Sequence, residues 1–246
     1  MRDAERAALA AVTFLTRVPV ARRVALEGSD LARGAVFFPL VGAGVGAAVG
    51  GAAYGLAQVV PALVAAGIAL ALGALLTGAL HLDALADTAD AAGTRTREAA
   101  LAIMRDHHTG AFGATALALD LLVKAAALAA LVGHPRVVLY ALAAGALSRS
   151  VAAVLGAMLP AARTDGAGAA FRVPAWAAST AVLAGAALAF VVPWQDALAL
   201  CAVAAWMTVA AALLYRRWLG GVTGDTLGAA VEVAETALLA AAAGLA

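Results

Sequence analysis

Long stretches without a charged residue restrict the fold of this sequence more than any other feature. The run from Pro61 to Leu80 carries no charge and is long enough to cross a bilayer, which takes about 20 apolar residues in a helix. Over the whole chain 65% of the residues are hydrophobic and 13% are charged, against about 45–50% and about 25% in a soluble domain. The sequence therefore predicts an all-α integral membrane protein, with residues 1–246 as one helical domain.

Seven apolar runs are predicted to be transmembrane helices, and a shorter helix is predicted before them. The predicted spans are residues 34–58, 59–82, 110–133, 137–159, 174–194, 196–215 and 226–245. Within the N-terminal segment 1–33, Ala4–Thr16 is too short to span and predicts a helix in the membrane interface. In the first span, Gly42, Gly46 and Gly50 recur every four residues and predict a face where another helix approaches closely.

Basic residues are distributed unevenly between the two predicted sides. Seven spans place the N-terminus and the loops 83–109, 160–173 and 216–225 together, and this side holds 13 of the 16 Lys and Arg residues. The positive-inside rule predicts that this side is cytoplasmic. The basic residues are scattered rather than gathered in one patch, which argues against nucleic acid as a partner.

Three carboxylates follow the uncharged run of the second predicted span. On a helix, Asp83, Asp87 and Asp90 lie at about 0°, 40° and −20°, so they form one narrow acidic stripe. Such a stripe needs a counter-ion, and oxygen ligands favour a divalent cation such as Mg²⁺. The alternative is a solvated helix end that only caps a membrane span.

A glycine-rich segment precedes the last span, over residues 220–225. Its glycines allow a ligand to approach the backbone, and N–H groups at the start of the following helix can hold a phosphate. Asp225 would add a carboxylate to a metal site. The alternative is an ordinary turn in which Asp225 caps the helix.

Charged residues also lie inside the predicted spans. Asp120 and Lys124 are four residues apart and can form an ion pair, either as structural support or as part of a site. The sequence Ser148-Arg149-Ser150 is expected to interrupt the fourth span, and Arg149 is expected to face a carboxylate, a phosphate or water. Charges at several depths would also suit a transporter, but most charges here gather toward one side.

Three motifs resemble those of the cobalamin synthase family, the adenosylcobinamide-GDP ribazoletransferases. They are His-Leu-Asp-x-Leu-Ala-Asp-Thr-Ala-Asp at 81–90, Ile-Met-Arg-Asp-x-x-x-Gly at 103–110 and Gly-Gly-x-Thr-Gly-Asp-x-Leu-Gly-Ala at 220–229. Phe-Leu-Thr-Arg-x-Pro-Val at 14–20, Phe-Phe-Pro-Leu-Val-Gly at 37–42 and Ser148-Arg149 fit as well. The resemblance covers nearly the whole chain. It implies a Mg²⁺-dependent enzyme of a prokaryotic plasma membrane, which joins adenosylcobinamide-GDP to α-ribazole or its 5′-phosphate and releases GMP.

The motifs and the charges together give the candidate site residues. Metal ligands are expected at Asp83, Asp87, Asp90 and Asp225, and candidates for the general base are Asp90, Asp225 and His81. Substrate contacts are expected at Arg105, Asp106, His108, Arg149, Gly221, Thr223 and Gly224. The loop 83–109 is thus the expected catalytic loop, facing the cytoplasm. The number of subunits is left open, a homo-oligomer included.

The sequence departs from the family pattern at three places. The family usually has Gly where Ala84 and Ala91 stand, and Ser-Arg where this chain has His107-His108. Because that arginine is absent, the sequence leaves open which residue binds the substrate phosphates. A protonated His108 is one possibility. The other is that both histidines face water and take no part in binding. The main alternative is a CDP-alcohol phosphotransferase, whose Asp-Gly and Ala-Arg pairs the acidic stripe does not match.

Overall fold

The computed structural model describes residues 3–20, 25–106, 108–133, 136–163 and 172–246. The helices are α1 (Asp3–Leu15), α2 (Gly28–Gly34), α3 (Phe38–Leu56), α4 (Ala62–Thr77), α5 (Leu80–Ala92), α6 (Arg97–Ile103), α7 (Ala111–Leu131), α8 (Val137–Met158), α9 (Ala175–Ala189), α10 (Trp194–Trp218) and α11 (Gly224–Leu245). A 3-10 turn over Ala35–Phe37 joins α2 to α3. Apart from one isolated β-bridge, the described residues contain no β-structure, which confirms the all-α prediction.

Within the described ranges, five helical segments are long and apolar enough to cross a membrane. They are Gly28–Leu56, which comprises α2, the 3-10 turn and α3, together with α7, α8, α10 and α11. The α4–α5 pair would be a sixth if the two helices are counted as one span. Helix α9 has 15 residues and is about 22 Å long, shorter than the hydrocarbon core of about 30 Å. The prediction of a polytopic helical membrane protein is confirmed, and its count of seven spans is approximate.

The predicted second span, residues 59–82, is broken before it reaches the acidic stripe. Helix α4 ends at Thr77, and α5 leaves at 92° to it. Gly78 and Ala79 both have positive φ, 66° and 56°, and the Ala79 N–H donates to the Ala74 carbonyl at 2.8 Å. Ala79 is the non-glycine residue with positive φ in the described chain, a conformation that is often found at functional sites. The bend therefore turns α5, with its three Asp residues, across the end of the bundle.

The N-terminal segment packs against this bend. The Arg17 N–H donates to the Leu76 carbonyl at 2.7 Å, and a Cβ placed on Gly78 would lie 1.9 Å from Arg17 Nε. Helix α1 confirms the helix predicted over Ala4–Thr16, and it lies close to Gly34, where an added Cβ would be 2.6 Å from the Ala7 carbonyl oxygen. Its place in the membrane interface stays a prediction.

Helix α8 is continuous, so the predicted interruption at Ser148-Arg149-Ser150 is wrong. Both hydroxyls bond within the helix, from Ser148 Oγ to the Gly145 carbonyl at 3.1 Å and from Ser150 Oγ to the Ala146 carbonyl at 3.2 Å. Ser150 Oγ also lies 3.1 Å from the Ala181 carbonyl of α9. The hydroxyls are thus satisfied without breaking the helical ladder.

The glycine face predicted on α3 lies against α8. A Cβ on Gly42 would be 2.1 Å from the Gly145 carbonyl oxygen, and one on Gly46 would be 2.1 Å from the Ala141 carbonyl oxygen. A Cβ on Gly50 would be 2.9 Å from Val138 Cα. The two backbones are therefore in direct contact along an antiparallel pair, as the four-residue spacing predicts.

Loops that the charge distribution assigns to one side are joined at one end of the bundle, here called the polar end. Arg97 donates through Nε to the Leu219 carbonyl and through Nη2 to the Ala162 carbonyl, both at 2.8 Å. A parallel bridge links Ala161 and Val222. The segment 83–109 is largely helical, in α5 and α6. Its role as a catalytic loop and the single-domain assignment of residues 1–246 stay predictions.

Candidate active site

A cavity of about 220 Å³ lies at the polar end, lined by residues of six helices. Its polar lining comes from three separate segments of the sequence, through Asp83 and His81 of α5, Arg149 of α8, and Gly224 and Asp225 of α11. The remaining lining residues are Phe14, Leu15, Leu31, Phe38, Leu80, Ala84, Ala152, Leu227, Gly228 and Val231. Five of the predicted site residues are thus brought together around one space.

Close packing of α5 on α11 produces this convergence. A Cβ on Gly228 would lie only 2.5 Å from Ala84 Cβ, so the two helices touch beside His81 and Asp83. The family pattern has Gly where Ala84 stands. In this chain the extra methyl group faces Gly228, which leaves room for it, so the departure is compatible with the close crossing.

Thr223, rather than Asp225, caps helix α11. The Thr226 N–H donates to Thr223 Oγ1 at 3.1 Å, and the Thr223 N–H donates to Thr226 Oγ1 at 2.8 Å. Thr223 is buried and serves the helix, and Gly221 packs against the Pro160 carbonyl, 2.2 Å from where a Cβ would stand. The Asp225 carboxylate instead lines the cavity and forms an ion pair with Arg163. The alternative in which Asp225 caps the helix is therefore wrong.

The acidic stripe divides into residues with different surroundings. Asp83 is exposed and lines the cavity, whereas Asp87 is half-buried and lies outside the lining. Asp90 accepts hydrogen bonds from the Gly110 N–H at 2.6 Å and the Gly113 N–H at 2.8 Å, one at each carboxylate oxygen. Asp90 thereby caps the N-terminus of α7. Its predicted roles as metal ligand and base stay predictions beside this structural one.

The donor set at the cavity suits a magnesium ion shared with substrate. Among the residues that the structure describes, no group of three or more His, Cys, Asp or Glu side chains could hold a metal ion by itself. Asp83 and Asp225 nevertheless line one cavity, next to the positive charges of Arg149 and Arg163. Mg²⁺ is usually held by one or two carboxylates, with phosphate and water oxygens completing its shell. The residues present fit that arrangement, and the metal site stays a prediction.

Arg149 is buried and has a carboxylate partner, as expected for a charge at that depth. Its Nη1 lies 2.9 Å from Ser148 Oγ and forms an ion pair with Glu235 of α11. The Arg149 Cδ passes over Gly42, where an added Cβ would lie at 2.7 Å. The partner is thus Glu235 and not one of the motif carboxylates, while Arg149 still lines the cavity.

A buried ionic network extends from Arg149 into the bundle. Lys124, the single lysine of the chain, forms an ion pair with Glu232 and lies 3.7 Å from Asp120 and 3.6 Å from Glu235. The Thr236 hydroxyl donates to Asp120. The predicted pair of Asp120 and Lys124 is confirmed as part of a larger group.

A second cavity of about 40 Å³ lies beside this network. Lys124, Glu232 and Glu235 line it, and so do Arg149 and His81. The last two residues line both cavities and form the boundary between them. Although His81 and Asp83 are two positions apart on α5 and point in different directions, both line the larger cavity.

The predicted residues of the loop after α6 lie outside the described lining of the cavity. Arg105, Asp106 and His108 are exposed, and His107 falls outside the described residues. His108 Nδ1 is 2.5 Å from Asp106 Oδ1, and this hydrogen bond raises the pKa of the His108 imidazole. Their predicted contacts with substrate stay predictions.

Two charged residues of the site were not among the predicted ones. Arg163 pairs with Asp225, and Glu235 pairs with Arg149. Glu235 could have been found from its position three residues after Glu232 on the last span, where both carboxylates share a helix face. Arg163 gives no comparable signal, because it is one of several basic residues in loops at this end.

Comparison with known proteins gives one consistent result. The family model described as cobalamin-5-phosphate synthase matches residues 7–243. A protein of Syntrophobacter fumaroxidans is 42% identical over 241 residues, covering 95% of this chain and 96% of its own length. One from Pseudomonas aeruginosa is 40% identical over 250 residues, covering 98% of this chain and 99% of its own length. Both are named adenosylcobinamide-GDP ribazoletransferase, and no solved structure matches the chain.

Proposed function

The chain belongs to the cobalamin-5-phosphate synthase family, and from that premise we propose that its larger cavity joins adenosylcobinamide-GDP to α-ribazole or its 5′-phosphate. A ribose hydroxyl of the ribazole attacks the phosphorus on the cobinamide side of the pyrophosphate. The product is adenosylcobalamin or its 5′-phosphate, and GMP leaves. Family membership separates this function from the two alternatives, a CDP-alcohol phosphotransferase and a transporter.

The observation that carries the proposal is the meeting of Asp83, Arg149 and Asp225 at one cavity. These residues come from three segments that are far apart in the sequence, and each carries a charge suited to a pyrophosphate and its metal ion. Transfer of a phosphoryl group depends mainly on positioning and on charge stabilisation. A cavity with two carboxylates and two nearby guanidinium groups supplies both.

The charged residues at the cavity have separate roles in this mechanism. Asp83 and Asp225 would hold Mg²⁺, which when bound offsets the negative charge of the pyrophosphate. Arg149, held by Glu235, presents positive charge in the lining of the cavity, and Arg163 does so beside Asp225. The attacking hydroxyl must lose its proton. Of the three candidate bases, His81 and Asp225 line the cavity, whereas Asp90 is engaged by two backbone N–H groups.

We also propose which side of the membrane the polar end and its cavity face. Because 13 of the 16 Lys and Arg residues belong to the N-terminus and the loops of the polar end, this end faces the cytoplasm of a prokaryotic plasma membrane. Arg95 and Arg217 are exposed at the polar end, and Gln58 is exposed beyond the last turn of α3. In a Cys201→Ala background, cysteines at the first two positions should resist an impermeant thiol reagent in intact cells, and a cysteine at Gln58 should react. The reverse pattern would contradict the proposed orientation.

The reaction is tested directly by release of GMP. Purified protein with Mg²⁺ and adenosylcobinamide-GDP should release GMP only when α-ribazole is added, and chelation of the metal should stop it. Asp83→Asn should abolish most of the activity, whereas Asp3→Asn, at an exposed residue of α1, should retain it. Release of GMP without α-ribazole, at the same rate, would mean that the protein is a hydrolase and not a transferase.

A further inference from the structure

The residues that line the larger cavity include two chemically different sets. The charged residues of the proposed reaction, on α5, α8 and α11, are here called the charged half. The second set is Phe14 and Leu15 of α1, Leu31 of α2 and Phe38 of α3, here called the apolar wall. The proposed reaction uses only the charged half, and the residues of the apolar wall have no role in it.

Two aromatic rings form the centre of the apolar wall. The rings of Phe14 and Phe38 are stacked, with centroids 6.1 Å apart and planes inclined by 15°. Phe38 is 2% exposed and fixed in the core, whereas Phe14 is 41% exposed. Phe14 therefore presents a ring surface to the cavity from a rigid support, an arrangement that suits a flat aromatic ligand.

Helix α1 is held in place beside α2. Arg6 forms an ion pair with Asp30, from Nη2 to Oδ2 at 2.7 Å and from Nε to both carboxylate oxygens at 3.2 Å. Arg6 Nη2 also donates to the Ala25 carbonyl at 2.8 Å. This two-pronged contact fixes the helix that carries Phe14, so the apolar wall is preformed.

The size of the cavity limits what it can enclose. Sites for drug-sized ligands occupy roughly 300–1,000 Å³, and this cavity has about 220 Å³. A corrinoid ring is far larger, so the cobinamide portion must remain outside. With the pyrophosphate at the charged half, the space beside the apolar wall suits one aromatic base.

The chemistry of the apolar wall selects between the two aromatic bases that the substrates bring. Guanine has several hydrogen-bonding groups at its edges, and the side chains of the apolar wall would leave them unpaired, at a cost in binding. The benzimidazole base of α-ribazole carries methyl groups at its outer edge, so the apolar wall leaves no hydrogen-bonding group unpaired there. The apolar wall therefore fits the ribazole base, with its ribose directed toward Asp83 and Asp225.

We infer that the N-terminal helix α1, through Phe14 supported by Phe38, forms the binding site for the aromatic base of α-ribazole and sets the preference for that base. This inference rests on the proposed function. It assigns the N-terminal segment to recognition of the smaller substrate, and it leaves the charged half of the cavity to the pyrophosphate.

Steady-state kinetics with each substrate varied in turn tests the assignment. Phe14→Ala should raise the KM for α-ribazole about tenfold, since removing an aromatic contact to a base has an effect of that order. The KM for adenosylcobinamide-GDP should stay within twofold. Phe14→Tyr, which keeps the ring, should restore the KM for α-ribazole. Phe190→Ala, at an exposed phenylalanine after α9, is the matched control and should change neither value.

The outcomes separate this inference from the proposed function. Absence of turnover by the wild-type protein with both substrates would overturn the proposed function itself. If the wild-type protein turns over and Phe14→Ala raises only the KM for adenosylcobinamide-GDP, the apolar wall binds guanine and the inference is wrong. An unchanged KM for both substrates in Phe14→Ala would also overturn it. Recovery by Phe14→Tyr excludes a general folding defect as the cause of a raised KM.

Discussion

Lys124 of α7 forms an ion pair with Glu232 of α11 in the interior of the bundle, 108 positions later in the chain. Both side chains are buried, and Asp120, Glu235 and Arg149 complete the group. Three carboxylates thus face two cations in a region of low dielectric constant. The ion pair joins α7 to α11, the helix that carries Asp225, so it stabilises the position of α11 beside the candidate active site.

Removal of Lys124 should therefore destabilise the protein strongly. Lys124→Met leaves the carboxylates with Arg149 as their cation, and loss of one partner from a buried ion pair costs about 3–5 kcal/mol. Thermal unfolding in detergent should show a large fall in Tm. The double variant Lys124→Met/Glu232→Gln should regain part of the loss, because it removes the uncompensated charge. Arg217→Met, at an exposed cation of α10, is the control. Equal stability of Lys124→Met and Arg217→Met would show that the network is not structural.

Gly42 gives a second prediction, about the contact between α3 and α8. An added Cβ would lie 2.1 Å from the Gly145 carbonyl oxygen and 2.7 Å from Arg149 Cδ, so Gly42→Ala should force the helices apart. Overpacking of this kind costs about 1–3 kcal/mol. Gly44→Ala, on the same helix, is the matched control, because no neighbouring segment comes within 4 Å of the Cβ position of Gly44. Gly44→Ala should be neutral or slightly stabilising, since alanine favours the helix. Equal effects of the two substitutions on Tm would argue against close packing.

Features with a local period could be predicted from the sequence. The four-residue spacing of Gly42, Gly46 and Gly50 predicts one helix face, and that face meets α8 in the structure. Asp120 and Lys124 are four residues apart and share a helix face, which the structure confirms. In both cases the helix geometry alone determines the neighbours, whatever the rest of the fold does.

Features that depend on distant partners could not be predicted. The bend at Gly78-Ala79 lies in a uniformly apolar run, and alanine gives no signal for positive φ. Asp90 belongs to the acidic stripe by spacing, but its carboxylate meets the N–H groups of Gly110 and Gly113, 20 and 23 positions later. Arg149 meets Glu235 only because α8 and α11 pack together. The sequence thus indicates which charges matter, and the tertiary contacts decide their partners.

A third prediction concerns pH and His108. The hydrogen bond with Asp106 raises the pKa of the His108 imidazole above its ordinary value of 6.5, so folding favours the charged form. That favourable contact is fully present below 6.5 and is lost as the pH rises through the raised pKa. If the imidazolium grips the substrate phosphates, the KM for adenosylcobinamide-GDP should increase over this window. His108→Gln should remove the increase, and Asp106→Asn should move it to lower pH. A KM with the same pH profile in all three proteins would exclude His108 from substrate binding.

The last prediction separates the two carboxylates at the ends of the acidic stripe. Asp90→Asn replaces one of two oxygens that accept backbone N–H groups, so it should lower the stability by about 0.5–2 kcal/mol, as loss of a helix cap does. Asp83→Asn should leave the stability unchanged or slightly higher, because Asp83 is exposed and its charge repels the neighbouring carboxylates. Its rate should fall about 10²–10³-fold if the cavity stabilises charge in the transition state, by analogy with loss of one electrostatic donor.

Magnesium dependence decides between these roles. Stabilisation of the protein by added Mg²⁺, measured as a rise in Tm, should shrink in Asp83→Asn because that residue lines the cavity with Asp225. The same rise should persist in Asp90→Asn, from a lower starting Tm. Asp83→Asn should therefore reduce the Mg²⁺-induced rise in Tm without lowering the starting Tm. Asp90→Asn should lower the starting Tm and keep the rise. A general loss of folding could not produce this pair of results. A Mg²⁺-induced rise in Tm that disappears in Asp90→Asn and survives in Asp83→Asn would exchange the two assignments, making Asp90 the metal ligand despite its two backbone contacts.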